Sequence, residues 1–330
     1  MKVLVVTPYP VLPLSDGSRV RTYRLATGLA GAGAEVDVLF PWGPGAPWRR
    51  FRRDGVSFQP HFFATNVLPF VLRDRIVPPL VALSLQPFAL GPRRRLSRAG
   101  DYDIVQFDFC AHPNWMERVG TAARVVYSAH NVEYDYVRGH PPRWFLPSTL
   151  SRLPELERRA VAASDLVVTT TDADAARMRE LYRADVDCEE VPNGFERALL
   201  KFDRTTVRRQ ARIELGLSPE QRALLFLGGN AAHNRRAAAF LERELAPKLG
   251  DHARLLMVGR SSSSAGSRSR PELRHLGYVE DLRPLLAAAD VGLNPVTWGS
   301  GSSLKLLTYL AAGLPVVTTP IGMRGFERLR

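Results

Sequence analysis

The chain opens on a continuous apolar, β-branched run, KVLVV at 2–6, the pattern of a strand buried on both faces of a parallel sheet. A loop with Pro8, Pro10, Pro13 and Gly17 follows. RTYRLATGLAGAG then places apolar residues at helical spacing and passes into EVDVLF, a second strand, so the start reads as a βαβ unit. The alternation recurs in the strand-like DIVQFDF (103–109), ARVVYSAH (123–130) and DLVVTTT (165–171), with a helix in LPELERRAVAAS. Beyond Gly194 it starts afresh. RALLFLGG (222–229), a helix around 235–249, ARLLMVG (253–259), the helix LRPLLAAA (282–289), DVGLNPV (290–296), a helix from about Leu304 and PVVTT (315–319) succeed one another.

Two successive sets of alternation predict an α/β protein of two doubly wound, Rossmann-like domains facing a cleft. The expected domains are 1–192 and 193–330, with the boundary inside EVPNGFE (190–196). A length of 330 residues suits two cores rather than one. The first strand is not followed by GxGxxG, so a nicotinamide or flavin dinucleotide has no cradle there. The glycines of GLAGAG (28–33) stand at a helix end, where glycine caps the chain.

Composition changes this picture mainly through charge. The formal net charge is +12, and residues 41–100 carry ten arginines (49, 50, 52, 53, 73, 75, 93, 94, 95, 98) against Asp54 and Asp74. Such a stretch attracts phosphates, nucleic acid or an anionic membrane face, and it also fits an arginine-rich surface that is simply solvated. No recognition motif or aromatic interleaving accompanies it, so nucleic acid is not expected as a partner. The window IVPPLVALSLQPFALG (76–91) holds three prolines and is shorter than a membrane-spanning helix. Cys110 and Cys188 give neither a disulfide framework nor a metal spacing. With no signal-peptide pattern ahead of the first strand, the expectation is a cytoplasmic protein, with residues 49–98 as a surface for peripheral attachment to a membrane. No metal and no resident cofactor are expected.

Ligands of open parallel sheets bind beyond the carboxyl ends of the strands, so the strand-to-helix loops are the candidates for chemistry. In the second half, GSGSS leads into the helix at Leu304, where unsatisfied backbone N–H groups and glycines suit a phosphate: Ser300, Gly301, Ser302 and Ser303. Lys305 adds a cation on the first turn, against the helix dipole; the chain has four lysines against 41 arginines. The same residues fit an ordinary Ser-capped helix with a solvated lysine. LGGNAAHNRR repeats the logic with Gly228, Gly229, Asn230 and Arg235 or Arg236, and VGR adds Arg260. Three glycine-bearing loops with cations suggest a nucleoside diphosphate. In the first half, His130 ends a strand on the ligand edge, His112 follows DFCA, and Asp16, Gly17, Ser18 and Arg19 lie in the first loop, where they also read as turn chemistry.

These pieces together resemble a retaining glycosyltransferase of family 4 (group 1) with the GT-B fold. The resemblance is carried by SDGSR, HNVE, ERRAVAASDLVVTTTDAD, VPNG, LFLGGNAAHN, LLMVGR, LGYVEDLRPLLAAADVGLNPV and GSGSSLKLLTYLAAGLPVVTT, in order over nearly the whole chain. It implies transfer of a sugar from a nucleotide-sugar donor to a hydroxyl of a glycan or lipid-linked acceptor, with retention and usually without a bound metal, in polysaccharide or glycolipid synthesis. The donor diphosphate would lie at the loops around Gly228 and Gly301, and the acceptor would enter near Gly17. His130 matches the histidine that contacts the reacting sugar. Stabilising the leaving diphosphate is then the main electrostatic task.

Two departures temper the expectation of activity. Many relatives carry two glutamates eight positions apart around the last helix, and the matching residues here are Ser300 and Thr308. The second holds the nucleotide ribose; a neutral hydroxyl in place of a carboxylate costs about 1–2 kcal/mol, or roughly 5- to 30-fold in affinity. The family also continues beyond TTPIGMRGFE, so an incomplete second domain, and with it an impaired GT-B-fold binding protein, is the alternative reading.

Overall fold

The computed structural model describes residues 1–14, 16–42, 47–61, 99–119, 122–139, 151–183, 185–201, 203–229, 231–259, 270–299 and 301–329. Of the expected site residues, Asn230, Arg260 and Ser300 lie outside these, as do residues 62–98 with most of the basic stretch and its apolar window. The chain divides into two compact units, Met1–Pro192 and Asn193–Arg330.

In the first unit the order is β1 (Lys2–Val6), α1 (Gly17–Gly31), β2 (Glu35–Pro41), β3 (Phe51–Arg53), β4 (Val56–His61), β5 (Ile104–Asp108), α2 (Pro113–Val119), β6 (Arg124–Ser128), α3 (Glu133–Gly139), α4 (Arg152–Ala162), β7 (Leu166–Thr169), α5 (Asp172–Leu181) and β8 (Cys188–Glu190). The strands form one sheet in the order β3-β4-β2-β1-β5-β6-β7-β8. All pairings are parallel except β3 with β4. β1 is central, with Val3 opposite Val36 on one side and Ile104 on the other. Its buried Val3, Leu4, Val5 and Val6 feed the cores on both faces, as the unbroken apolar run requires.

The β3–β4 hairpin falls in the basic stretch and was not expected as strands. Its turn is Asp54-Gly55, with φ of 48° and 80°, left-handed values that this dipeptide tolerates. Phe51 and Phe58 face each other across it, ring centroids 5.0 Å apart, while Arg52 and Arg53 stay exposed. Arg50 donates from Nε to Ser57 Oγ and lies 3.6 Å from Asp37, so part of this positive charge is bound into the fold.

The second unit comprises α6 (Arg197–Leu200), α7 (Arg204–Glu214), β9 (Arg222–Leu227), α8 (Ala232–Phe240), β10 (Ala253–Val258), β11 (Leu273–Gly277), α9 (Arg283–Ala288), β12 (Val291–Asn294), α10 (Leu304–Ala311) and β13 (Val316–Thr318). The five strands are all parallel, in the order β11-β10-β9-β12-β13. The helix expected over 235–249 ends as α-helix at Phe240 and continues as one π turn, Leu241–Leu245, and a 3-10 turn. Pro247 explains the change, because its ring excludes a regular α-helical hydrogen bond there. α7 uses arginines to finish α9: Arg204 donates to Ala289 O, Arg208 to the carbonyls of Ala287, Ala288 and Ala289, and Arg212 to Ala288 O. Those are the unsatisfied carbonyls of a helix end.

One contact positions the last helix. Tyr309 is fully buried beneath the sheet; its phenolic oxygen accepts from Leu227 N at 2.8 Å and lies 3.2 and 3.3 Å from the carbonyls of Leu225 and Leu293. The ring fills the space beside Gly292, where a Cβ would come within 2.6 Å of it. α10 is thereby registered against both β9 and β12, the strands whose loops flank its start.

Candidate functional site

In the first unit, His130 stands two residues beyond β6, in the short loop before α3, at the carboxyl end of a parallel strand. Its ring packs on Phe109, centroids 4.5 Å apart, and only 6% of the residue is exposed. Phe109 itself has φ of 65°, a strained value for an aromatic residue, where the chain leaves β5. Nε2 of His130 lies 3.6 Å from Oδ2 of the buried Asp108. Burial alone would raise the Asp108 pKa, but His130, Thr22 and Gln106 outweigh it and hold the carboxyl below its ordinary range.

The loop is clamped from α4. Glu157, with no exposed surface, accepts from the backbone N–H groups of Glu133 and Tyr134 at 2.8 and 3.1 Å, and from the hydroxyls of Tyr127 and Tyr182 at 3.2 and 2.6 Å. A carboxylate thus caps the start of α3, satisfying donors that a helix end leaves open. Burial pushes the Glu157 pKa up against these bonds. Glu133, buried beside it, is raised to about 8 by burial and by the Glu157 charge. Sequence reading singled out His130 but not Glu157 or Asp108; Glu157 stands beside Arg158 and Arg159 in ERRAVAAS and Asp108 shares DIVQFDF with Asp103, so neither is marked out by its surroundings.

Asp16 is the N-cap of α1: its side chain accepts from Arg19 N at 3.1 Å, and Arg19 Nε lies 3.1 Å from its other oxygen. Arg19 also donates to Pro13 O, while Gly17 and Ser18 open the helix. In the described structure these four residues build a helix start. His112 likewise starts α2, its carbonyl accepting from Trp115 N and Met116 N, and its ring stacks on Trp115. Burial lowers its pKa to about 4.

In the second unit, the loops after β9, β10 and β12 come together. Gly228 N donates to Val258 O, and Gly259, at φ 98°, lies against it so closely that a Cβ would sit 2.2 Å from Gly228 O. Glycine is needed there on both grounds. His233, at the start of α8, meets Trp298 of the β12 loop edge-on, centroids 5.7 Å apart. Gly301 is buried with φ of 71°. Ser302 Oγ accepts from Asn193 Nδ2 at 2.8 Å, Ser303 Oγ accepts from Asn294 Nδ2 at 3.3 Å, and Arg324 donates to Gly299 O at 3.4 Å. Ser303 is the N-cap of α10 but makes no capping bond with its side chain. Asn294 and Arg324 were not foreseen; an asparagine ending a strand and an arginine in a terminal loop carry no spacing signal.

Lys305 projects from the first turn of α10 and donates from Nζ to Asn234 Oδ1 on α8; Nζ also stands 4.8 Å from the Phe226 ring centroid. The residue keeps some accessible surface, yet the protein packed around Nζ lowers its pKa to about 7. No carboxylate among the described residues pairs with it. Arg235 and Arg236 are exposed on α8. Thr308 does not face outward as a free hydroxyl: Oγ1 donates to Leu304 O, one turn back, at 3.1 Å. Among the described residues no group of three or more His, Cys, Asp and Glu could hold a metal ion, and no helix is long and apolar enough to cross a membrane.

Two parallel-sheet units with glycine loops at the strand ends are the parts of which the GT-B fold is made. The chain belongs to glycosyltransferase family 4: the model described as Glycosyltransferase Family 4 matches residues 15–199, and the one described as Glycosyl transferases group 1 matches residues 221–328. A D-inositol 3-phosphate glycosyltransferase of Actinosynnema mirum is 28% identical over 93% of this chain and 76% of its own length. Its counterpart in Mycobacterium marinum is 26% identical over 93% and 67%. Among solved structures, sucrose-phosphate synthase from Thermosynechococcus elongatus superposes with a TM-score of 0.74 at 15% identity, covering 99% of this chain and 83% of that one. HepE from Anabaena, in complex with UDP-glucose, gives 0.65 at 16% identity, covering 100% and 83%.

Proposed function

We propose that this glycosyltransferase moves a sugar from a nucleoside-diphosphate sugar to an acceptor hydroxyl with retention at the anomeric carbon. The observation that carries the reading is Lys305: a cation packed among Phe226 and Asn234 at a helix N-terminus, with no carboxylate partner among the described residues. Placing an uncompensated charge there is costly, and a diphosphate supplies the missing anion. The backbone at Gly229 and Gly301 to Ser303 would share that anion, Gly228 leaving room for its close approach, with Arg235 as a further cation, and Asn230, Arg260 and Ser300 belong to the same loops in sequence. Transfer then needs the leaving diphosphate stabilised by fixed dipoles and charge, with His130 acting on the sugar. The nucleotide sugar is a substrate, and no resident cofactor enters the scheme.

Support for the donor class also comes from HepE, whose structures hold UDP or UDP-glucose, and acceptors akin to D-inositol 3-phosphate follow from the names of the curated relatives. Titration calorimetry with UDP, GDP, ADP and their sugars tests the reading directly. Micromolar binding of one diphosphate, lost in Lys305→Ala, is expected; no binding by any of them would overturn it.

A role in polysaccharide or glycolipid synthesis at a membrane face rests on the arginines of 49–98, of which only Arg49, Arg50, Arg52 and Arg53 are described. Cosedimentation with anionic liposomes, absent with neutral ones, is the expected result. Thr308 favours a second reading, a GT-B protein that binds without turnover, because its hydroxyl is already engaged with Leu304 O. Nucleotide binding without sugar transfer or hydrolysis would select it.

A further inference from the structure

Behind His130 the first unit builds a run of buried polar groups that the transfer scheme does not use. Asp108 closes β5 and stands opposite Ser128 in the parallel register with β6, which brings its carboxylate beside the loop that carries His130. Asp108 Oδ1 accepts from Gln106 Nε2 at 2.9 Å, and Oδ2 accepts from Thr22 Oγ1 on α1. Tyr9 Oη is 2.9 Å from Thr22 Oγ1. Since Thr22 spends its one proton on Asp108, Tyr9 donates to Thr22, and the run points in one direction, toward the carboxylate. Arg21, also buried, lies near enough for the Asp108 charge to act on its guanidinium, which donates to Val191 O at 2.7 Å. Every group facing Asp108 therefore treats it as an anion.

Oδ2 lies 3.6 Å from His130 Nε2, beyond hydrogen-bond length but close for charge acting through a buried interior. A neutral imidazole carries its proton on one nitrogen. A lone pair on Nε2 would face a carboxylate oxygen, whereas a proton there is attracted to it. Nδ1 is then the lone-pair nitrogen. Both ring nitrogens are buried without a hydrogen-bond partner among the described residues, but Nε2 has the Asp108 carboxylate beside it, whereas nothing described faces Nδ1 as a donor, an uncommon state for an acceptor unless something else arrives to fill it.

We infer that Asp108 is a positioning residue for His130: with its carboxylate held by Thr22 and Gln106, it fixes the Nε2–H tautomer and leaves Nδ1 as the acceptor for a hydroxyl of the bound substrate. The tautomer follows from this unit alone, while its effect on turnover rests on the proposed sugar transfer, and the two can be read separately.

Nitrogen NMR of 15N-histidine-labelled protein, with the His130 signals assigned by loss in His130→Gln, reports which ring nitrogen carries the proton. The wild-type protein at pH 8 is expected to show the Nε2–H form in at least tenfold excess. In Asp108→Asn and in the smaller Asp108→Ser, each checked for a cooperative melt, that excess should fall to within threefold of unity. In a transfer assay kcat should drop at least tenfold with donor KM within threefold. A wild-type signal from Nδ1–H, or an unchanged tautomer in either folded variant, would overturn the inference. Absence of transfer activity in the wild-type protein would count against the proposed function and leave the tautomer result standing.

Discussion

The Lys305 ammonium on α10 reaches Asn234 Oδ1 on α8, 71 residues earlier in the chain, so the helix starts that follow β9 and β12 are joined by one charge-assisted hydrogen bond. That pairing ties two loops together and leaves the charge itself without a counterion among the described residues.

Replacing Lys305 should separate binding from stability. Loss of a hydrogen bond from a charged donor costs about 1.5–3 kcal/mol, so Lys305→Met should weaken nucleoside diphosphate binding by roughly 10- to 150-fold in calorimetry. The same variant should melt at or above the wild-type temperature at pH 6, because a poorly compensated cation is replaced by an apolar chain.

Proton uptake follows from the Lys305 pKa of about 7 in the free protein, against 10.5 ordinarily. A bound diphosphate favours the ammonium, so binding at pH 8 should take up a proton, and the apparent enthalpy should change with the ionisation enthalpy of the buffer. Identical enthalpies in phosphate and Tris would refute this. For stability the sign is fixed by linkage: between pH 7 and 10.5 the unfolded chain holds more protons at this group, so its contribution grows as pH rises.

Glu133 acts in the opposite sense. Its folded pKa of about 8 lies above the ordinary 4.5, so its favourable contribution is complete below pH 4.5 and is lost as pH rises through 8. Glu133→Gln should remove a slope of about 1.4 kcal/mol per pH unit across that window. Denaturant unfolding at pH 6 and pH 8 checks it: the gap between the two should shrink in the variant.

Thr308→Glu releases the hydroxyl bond to Leu304 O and places a carboxylate on α10. If the ribose lies there, donor affinity should rise roughly 5- to 30-fold. Equal affinities in competition binding would remove the ribose from this position.

Gly259→Ala puts a Cβ 2.2 Å from Gly228 O at a φ of 98°. Steric and backbone costs combine, and a loss on the order of 3–5 kcal/mol in urea unfolding is expected.

The alternation of apolar runs made the central strands legible, because β1, β9 and β10 are buried on both faces and carry few polar residues. Elements under charge were not: β3 is FRR, and only the Asp54-Gly55 turn marked the hairpin. Among the candidate site residues, glycines and the lysine stand out by residue type, so Gly228, Gly301 and Lys305 are legible as candidates from the sequence. Their supports are not. Asp108, Glu157, Asn234 and Asn294 each have a partner 24 to 86 residues away, as with Thr22 to Asp108 or Asn294 to Gly322, and such distances leave no local spacing. The helix expected around 235–249 ends as α-helix at Phe240, ahead of Pro247, because the apolar period continues through a turn whose backbone the proline alters.

Tyr309 gives the last helix an anchor inside the sheet. One phenolic oxygen holds α10 to the backbone of β9 and β12, while the loop ahead of it is pinned at its own residues: Gly299 and Gly301 sit at φ of 137° and 71°, values that favour glycine, and Ser302 Oγ accepts from Asn193. The loop therefore resists wholesale exchange, and a redesign that keeps Asn294 and Tyr309 has to keep those two glycines as well.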